Sequence, residues 1–245
     1  MICRKKSTLC TLFCLCLLMP LTLILGSRLP GRWYYLTATL MVIEAMVPFF
    51  FAFETRKPQA GELVTIGVLS ALAAISRGAF AFLPHFKPTV AIVMIAGIAY
   101  GGEVGFLTGS ISAFASNFFF GQGPFTPWQM FAYGMGGLLA AFVFHSSWEK
   151  WNKKSWYPVL LGFFGFVTIL LFVGPFLDIC SLFTMSSQLS WSFALLCLTA
   201  GLPVNLLHGI STAVTLLLFA KPLLWKLKRL QTKYGILDEK IQGRL

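Results

Sequence analysis

Residues 157–177 read YPVLLGFFGFVTILLFVGPFL, a run of 21 residues without a charged side chain. A helix needs about 20 consecutive apolar residues to cross the hydrocarbon core of a bilayer, so this run is long enough for one span. It is continuously apolar, whereas a strand of a membrane β-barrel alternates between apolar and polar residues. The stretch therefore predicts an α-helix that crosses a membrane.

Similar runs occur along the whole chain. Of its 245 residues, 57% are hydrophobic and 11% are charged, whereas soluble domains carry about 25% charged residues. This composition excludes an ordinary soluble enzyme and leaves no room for a large domain outside the membrane. The predicted spans are 8–26, 34–53, 62–83, 88–101, 104–120, 126–145, 157–177 and 191–220. They predict an all-α, polytopic membrane protein of about eight transmembrane helices.

The positive charges predict how the chain is oriented, because lysine and arginine accumulate in cytoplasmic segments. When alternate connections are counted, one side of the membrane receives 15 of the 19 basic residues, including those of both termini. The other side receives Arg28, Arg32 and Lys87. We therefore expect a protein of the plasma membrane with both termini in the cytoplasm. This topology accounts for the net charge of +11, so the charge does not indicate nucleic-acid binding.

A polar stretch divides the chain into a shorter and a longer part. Residues 1–61 form a predicted two-span hairpin with its polar linker, and residues 62–222 form a predicted six-span block. Residues 223–245 are basic, and leucines such as Leu224 and Leu227 recur there at helical spacing. This pattern is typical of an amphipathic helix on a membrane surface, so we expect a cytoplasmic tail on the inner leaflet.

The chain lacks the common motifs of catalysis and metal binding. It contains no G-x-x-x-x-G-K-[ST], no H-E-x-x-H and no complete G-x-S-x-G, which are the motifs of P-loop, zinc-protease and hydrolase sites. Glu44 is alone in the second span, whereas proton-coupled carriers usually bury more acidic residues. We predict no catalytic residue, no intrinsic cofactor and no metal site. The polar residues favour binding instead.

The third predicted span carries small residues on one face. Gly67, Ala71, Ala74 and Gly78 recur at i, i+4, i+7 and i+11, and Ser70 forms a second small pair with Ala74. Small residues let helix backbones approach closely in lipid. The stripe either packs inside the protein's own bundle or docks a partner helix, and the candidate docking residues are Gly67, Ser70, Ala71 and Ala74.

Arg77 lies six residues before the outer end of this span, which is about 9 Å at 1.5 Å per residue. An arginine at that depth costs a few kcal/mol unless it is paired or hydrated. It either extends to the membrane surface or faces a polar cavity open to the outside, and we favour the cavity. There the guanidinium is a rigid fork of donors for a phosphate, carboxylate or carbonyl group.

The segment Ser116–Met130 combines amides and aromatic rings at the outer end of the fifth and sixth spans. Its glycines and prolines predict an ordered turn. An interfacial aromatic belt would explain the rings but not the three amides, so we interpret the segment as a ligand-binding loop. The candidate binding residues of this region are Asn117, Phe120, Gln122, Trp128, Gln129 and Tyr133.

The final predicted span places Asn205 and His208 on one face, because residues three apart are neighbours on a helix. Pro203, which loosens the helix, precedes them. The pair is either a satisfied interhelical hydrogen bond or a part of the binding site. We include both residues among the candidates.

The six-span block resembles the substrate-binding S component of an energy-coupling factor (ECF) vitamin transporter. The stretches that carry this resemblance are Gly67–Arg77, Phe86–Pro88, Gly97–Gly109, Ser116–Met130, Gly201–Leu206 and Lys221–Pro222. Residues 117–130 are the most specific part and are similar to corrinoid-related members. The N-terminal hairpin departs from the common six-span core of that family, and Gly67 stands where an alanine is more usual.

The resemblance implies a six-helix bundle that captures a vitamin with high affinity at its outer face. It further implies that the small-residue stripe docks on a membrane coupling (T) protein, and that two ATPase subunits drive this partner. The S component would tilt in the membrane to release its cargo inside. The resemblance favours cobalamin or its precursor cobinamide as the transported ligand, and a flavin would use the same residue types.

Two other functions stay open at this point. An intramembrane hydrolase would use His208 with Ser110, Ser112 or Ser211, although no nucleophile motif is present. A scaffold protein would use the stripe and the tail only to bind partners, and no small molecule would then co-purify with it.

Overall fold

A computed structural model describes residues 13–27, 33–55, 58–185 and 190–235. Within these ranges the chain forms helices and no β-strand. The first helix, α1, is a π-helical turn at Cys14–Leu18 continued by Met19–Ser27. The long helices that follow are α2 (Trp33–Thr55), α3 (Ala60–Ala79), α4 (Thr89–Tyr100), α5 (Gly102–Phe120), α6 (Thr126–Phe144), α7 (Tyr157–Met185) and α8 (Trp191–Tyr234). A four-residue helix, Trp148–Trp151, lies between α6 and α7. The all-α prediction is confirmed.

Each predicted span corresponds to one of these helices. Within the described ranges, four helical stretches are long and apolar enough to cross a membrane by themselves: Tyr35–Thr55, Ala60–Ala79, Tyr157–Met185 and Trp191–Tyr234. Helices α5 and α6 have 19 residues each. Glycine and threonine lie on the buried faces of both helices, and α5 adds three buried serines. The chain is a helical membrane protein, and the predicted number of about eight spans is approximate.

Helix α4 is the centre of the bundle, because all of its 12 residues are buried. At 1.5 Å per residue it is about 18 Å long, which is shorter than the hydrocarbon core of a bilayer. Helices α3, α5, α6 and α8 pack around it. Its nearly uniform apolar sequence suits this position, since protein surrounds it on every side.

Glycines make the close contacts around α4 possible. Gly101 separates α4 from α5 and has φ 98°, a conformation that residues with a β-carbon rarely adopt. Gly97 of α4 lies so close to the carbonyl of Gly137 in α6 that a β-carbon there would overlap it. A β-carbon on Gly105 of α5 would lie 2.7 Å from Gly97 Cα. The connection between α4 and α5 is therefore the single residue Gly101.

Helix α2 attaches the N-terminal hairpin to the bundle by packing against α5, α6 and α7. Phe49 stacks on Phe106 of α5 with 3.9 Å between the ring centroids. The indole Nε1 of Trp128 in α6 donates to Thr39 Oγ1 at 3.1 Å. Aromatic rings therefore join the hairpin to the six helices that follow it.

Helix α8 differs most from the prediction, because it continues through Pro222 to Tyr234. Leu224 and Leu227 are buried in the main core, and the Tyr100 hydroxyl donates to the Leu227 carbonyl at 3.2 Å. These leucines stabilise the bundle, whereas the sequence indicated a helix on the membrane surface. The residues of the tail after 235 lie outside the described part of the chain.

Candidate functional site

Arg77 lies in the last turn of α3, and the neighbouring helix α5 holds its guanidinium. Its Nη1 donates to Asn117 Oδ1 at 2.7 Å and to Ser116 Oγ at 2.9 Å. Both acceptor residues are buried on α5. They are neutral, so they orient the arginine without cancelling its charge. Arg77 is thus a positioned cation at one end of the bundle.

The three amides predicted as binding residues belong to one hydrogen-bond network. Asn117 Nδ2 donates to Gln129 Oε1 at 2.9 Å and to Thr126 Oγ1 at 3.1 Å. Thr126 donates to Gln122 Oε1 at 2.9 Å, and Gln122 Nε2 donates to the Phe114 carbonyl at 3.0 Å. The network fixes the connection between α5 and α6 beside the arginine.

A cavity of about 310 Å³ opens at the same end of the bundle, and we call it the Arg77 cavity. It is bounded by the end of α3, the connection to α4 and the end of α5, and its lining includes Arg77, Phe80, His85, Phe86, Lys87 and Phe120. The Arg77 guanidinium carbon lies 4.6 Å from the Phe120 ring centroid. The Phe80 and Phe86 rings lie 5.1 Å apart. The cavity therefore combines positive charge with flat aromatic walls.

The connection between α3 and α4 is fixed by hydrogen bonds. The Phe86 amide donates to the Leu83 carbonyl at 3.2 Å, and His85, inside this turn, has φ 61°. The Lys87 amide donates to Ser211 Oγ of α8 at 3.0 Å. The turn and the contact with α8 together place Phe86 and Lys87 at the cavity.

The half-buried Lys87 brings a second cation to the cavity of Arg77. Burial lowers the pKa of the Lys87 ammonium, and the positive charge of Arg77 lowers it further. No acidic side chain of the described residues lines the cavity. The site is therefore electropositive.

Tyr133 and His208, both predicted binding residues, meet in the interior of the bundle. Both are buried, and their rings lie edge to face with centroids 6.2 Å apart. His208 Nε2 has no hydrogen-bond partner within the described ranges. The His208 carbonyl accepts from Ser211 Oγ at 2.9 Å, and Ser211 Oγ in turn accepts from the Lys87 amide at 3.0 Å. The pair thus lies near the cavity without lining it.

Two further predicted binding residues face other parts of the bundle. Trp128 is 3% exposed, and its ring lies 5.1 Å from Phe176 and 5.9 Å from Phe183. Asn205 Nδ2 donates to Asp178 Oδ2 at 2.7 Å, which joins α8 to α7. Asn205 thus makes an interhelical hydrogen bond, whereas His208 Nε2 makes none with the described residues. The bond from Asn205 also gives the acidic group a partner, which fits the continuation of α7 past the predicted end at 177.

The small-residue stripe of α3 lies mostly on the outer surface of the bundle. Gly67 and Ala71 are exposed and Ala74 is half-buried, and a β-carbon on Gly67 would meet no atom within 4 Å. Ser70 is instead buried, and its hydroxyl donates to the Thr108 carbonyl of α5 at 3.4 Å. Ser70 therefore packs inside the bundle, whereas the rest of the stripe is open to a partner helix.

The serines considered as nucleophiles contact backbone carbonyls. Ser110 and Ser112 donate to such carbonyls at 3.1 Å and 2.9 Å. Ser211 Oγ lies 3.0 Å from the Lys87 carbonyl and 2.9 Å from the His208 carbonyl. In the described part of the chain, none of the three hydroxyls is hydrogen-bonded to the imidazole that a hydrolase would use as a base.

Sequence reasoning missed Lys87 and His85 as site residues, and it placed Asp178 in a loop. Lys87 lies only ten residues after Arg77, at the same predicted membrane face. That proximity is a usable signal, because two cations close together at one membrane face can serve the same site. Asp178 carried no such signal, because its partner lies on another helix.

A family model described as ECF transporter, substrate-specific component, matches residues 62–219. The match covers more than half of the 245 residues and includes Arg77, the amide network and the stripe. No curated protein and no solved structure matches the chain.

Proposed function

The chain belongs to the family of ECF transporter substrate-specific components, and on this premise we propose that it captures a vitamin at the outer face of the membrane for import. Members of the family are non-catalytic substrate-binding subunits of membrane transporters. Family membership also implies association with a T protein and ATPases in an ECF module. The chain is thus a transporter subunit in a membrane and not an enzyme.

The Arg77 cavity is the observation that carries the capture proposal. It places a guanidinium beside the Phe120 ring at one end of the bundle. Asn117 links this guanidinium to Gln129 and, through Thr126, to Gln122. We therefore propose these residues as the binding site. Tyr133 and His208 are proposed as its inner boundary.

For the ligand we propose a corrinoid, either cobalamin or cobinamide, with a flavin as the alternative. Both offer a flat ring system and hydrogen-bonding groups to aromatic rings, amides and a guanidinium. Ligand cavities measure roughly 300–1,000 Å³, so the Arg77 cavity, at about 310 Å³, is among the smaller ones. A corrinoid would require the connection at 80–88 to move outward, whereas a flavin would require less movement.

For delivery we propose that the exposed part of the stripe docks on the T protein. Gly67 and Ala71 offer a flat helix surface without side-chain bulk, and such surfaces allow close helix contacts in lipid. Helix α3 uses its other face against α4 and α5. One helix would therefore hold a ligand-binding arginine at its end and a docking surface along its length.

For orientation we propose that the cavity faces the outside and that both termini are cytoplasmic. The end of the bundle opposite to Arg77 carries the basic residues that follow α6 and those at the end of α8. There Lys228 forms a 2.8 Å ion pair with Glu149. This distribution follows the positive-inside rule.

The capture proposal is tested by native mass spectrometry and absorption spectroscopy of the full chain, purified in detergent from cells supplied with a vitamin mixture. A bound corrinoid supports the whole proposal, and a bound flavin supports capture while correcting the ligand. An Arg77→Ala variant purified in parallel should carry less ligand. A wild-type protein that is empty and does not co-purify with a T protein contradicts the proposal and favours the scaffold.

A further inference from the structure

The charge of the Arg77 cavity narrows the class of ligand. Arg77, Lys87 and His85 line the cavity, and no acidic residue of the described ranges joins them. We infer that the substrate presents an anionic group, a carboxylate or a phosphate, to Lys87 and Arg77. This inference rests on the proposed capture function, because it names the substrate class of the same site.

The Arg77 guanidinium has N–H groups that are not hydrogen-bonded to any described residue and are free to donate to a ligand. A guanidinium has five N–H donors, and Nη1 makes both of the hydrogen bonds to Ser116 and Asn117. No described residue accepts a hydrogen bond from Nη2 or Nε. A carboxylate or a phosphate matches the planar fork of the remaining donors.

Lys87 is placed to act on the same anionic group. Its backbone is tied to Ser211 of α8, and its ammonium has no ion-pair or hydrogen-bond partner among the described side chains. Burial and the charge of Arg77 disfavour the protonated ammonium and lower its pKa. An anion between the two cations would reverse this effect, because an opposite charge favours the protonated form.

The aromatic lining indicates what is attached to the anionic group. Phe80, Phe86 and Phe120 present rings to the same cavity, and flat apolar ligands pack well against such rings. An inorganic ion would leave these walls uncovered. The geometry thus favours a substrate with a ring system near its carboxylate or phosphate. A phospholipid head group is a second source of phosphate at a membrane surface, and the experiment has to distinguish it.

Two pairs of related vitamins test the effect of ligand charge, because the members of each pair share a ring system and differ in a phosphate group. Cobalamin contains a phosphodiester that cobinamide lacks, and flavin mononucleotide contains a phosphate that riboflavin lacks. The binding of all four to the purified full chain in detergent is measured by titration calorimetry. The variants are Lys87→Gln, which removes the charge, and Lys87→Arg, which keeps it. Lys154→Gln removes an exposed lysine between α6 and α7 and is the matched control.

We expect the anionic member of at least one pair to bind wild type about tenfold more tightly than its neutral relative, which is the effect of one hydrogen bond to a charged group. Lys87→Gln should bring this ratio close to one. Lys87→Arg and Lys154→Gln should preserve it. Inorganic phosphate should compete with the anionic member, and equal melting temperatures of the variants would show that all of them fold.

The results separate this inference from the capture proposal. If a vitamin binds but both members of its pair bind equally well, and Lys87→Gln changes neither, capture stands and the anionic substrate is wrong. If no vitamin binds and a phospholipid co-purifies with wild type but not with Lys87→Gln, the lipid is the anion and both proposals are wrong. If no vitamin binds and phosphate stabilises neither protein, the cavity does not recognise anions and the inference is overturned.

Discussion

The Arg77 guanidinium donates to Asn117 Oδ1 across 2.7 Å, so a cation on α3 and an amide on α5 form one unit. The amide nitrogen of Asn117 donates to Gln129 of α6. Removal of the arginine therefore removes a charge from the cavity, whereas removal of the asparagine disconnects three helices. The two changes are expected to have different consequences.

Arg77→Ala should weaken vitamin binding by about tenfold or more, because a hydrogen bond to a charged group is lost. It should lower the melting temperature only slightly, because Asn117 Oδ1 loses one donor while Asn117 Nδ2 keeps its bonds to Gln129 and Thr126. Asn117→Ala should weaken binding and also lower the melting temperature, since Gln129 and Arg77 both lose a buried partner. Titration of the purified variants with the co-purified vitamin measures the first effect, and thermal unfolding in detergent measures the second.

Co-purification with the T protein is the control for both variants, because neither residue lies on the exposed stripe. We expect both variants to assemble like wild type. Wild-type affinity in both variants would show that the vitamin binds elsewhere.

Ala71→Leu and Ala74→Leu should impair assembly with the T protein and leave vitamin binding intact, which is the reverse of the effect expected for Arg77→Ala and Asn117→Ala. Each adds bulk to a surface where helices approach closely, so assembly with the T protein and uptake should fall while vitamin affinity stays the same. Leu72→Phe is the matched control, since Leu72 is exposed on the same helix outside the stripe. Pull-down of the T protein and vitamin uptake by cells check this prediction. Full uptake in both leucine variants would show that the stripe is not a docking surface.

The sequence predicted the helices best where the chain itself marks their ends. Helix α4 ends before Gly101, whose φ of 98° is a conformation that glycine adopts readily and other residues rarely. Helix α6 starts after the glycines and the proline that follow Phe120. The ends of α7 and α8 were missed because partners on other helices decide them. Asp178 bonds to Asn205, and apolar periodicity along one helix contains no information about such a pair.

The candidate site was also predictable only in part. Arg77, Asn117, Gln122 and Gln129 stood out because polar groups are costly in lipid, and the structure joins them in one network. Trp128 stood out equally, but its indole packs against α2 and α7. A sequence shows that a residue is unusual and does not show which neighbour it meets. The role of each of these residues in binding stays a prediction.

Gly97→Ala should destabilise the bundle, because the new methyl group would overlap the Gly137 carbonyl. Overpacking of a tight core typically costs about 1–3 kcal/mol. Gly67→Ala is the matched control on a surface helix, since its methyl group would meet no atom within 4 Å. Alanine is also favoured over glycine in helices by roughly 0.5–1 kcal/mol. Thermal unfolding should therefore show a loss for Gly97→Ala and no loss for Gly67→Ala. Equal stability of both variants would contradict the close packing of α4 on α6.

Trp128 should attach the hairpin and not bind the vitamin, since its indole donates to Thr39 Oγ1 at 3.1 Å and its ring is buried beside Phe176. Interhelical hydrogen bonds in membranes contribute about 0.6 kcal/mol on average. Trp128→Phe and Thr39→Val should each lower the free energy of unfolding, and the double variant should lose less than the sum of both. Vitamin affinity should stay the same in all three. A loss of affinity in Trp128→Phe that is absent in Thr39→Val would place the indole in the binding site, as the sequence alone suggested.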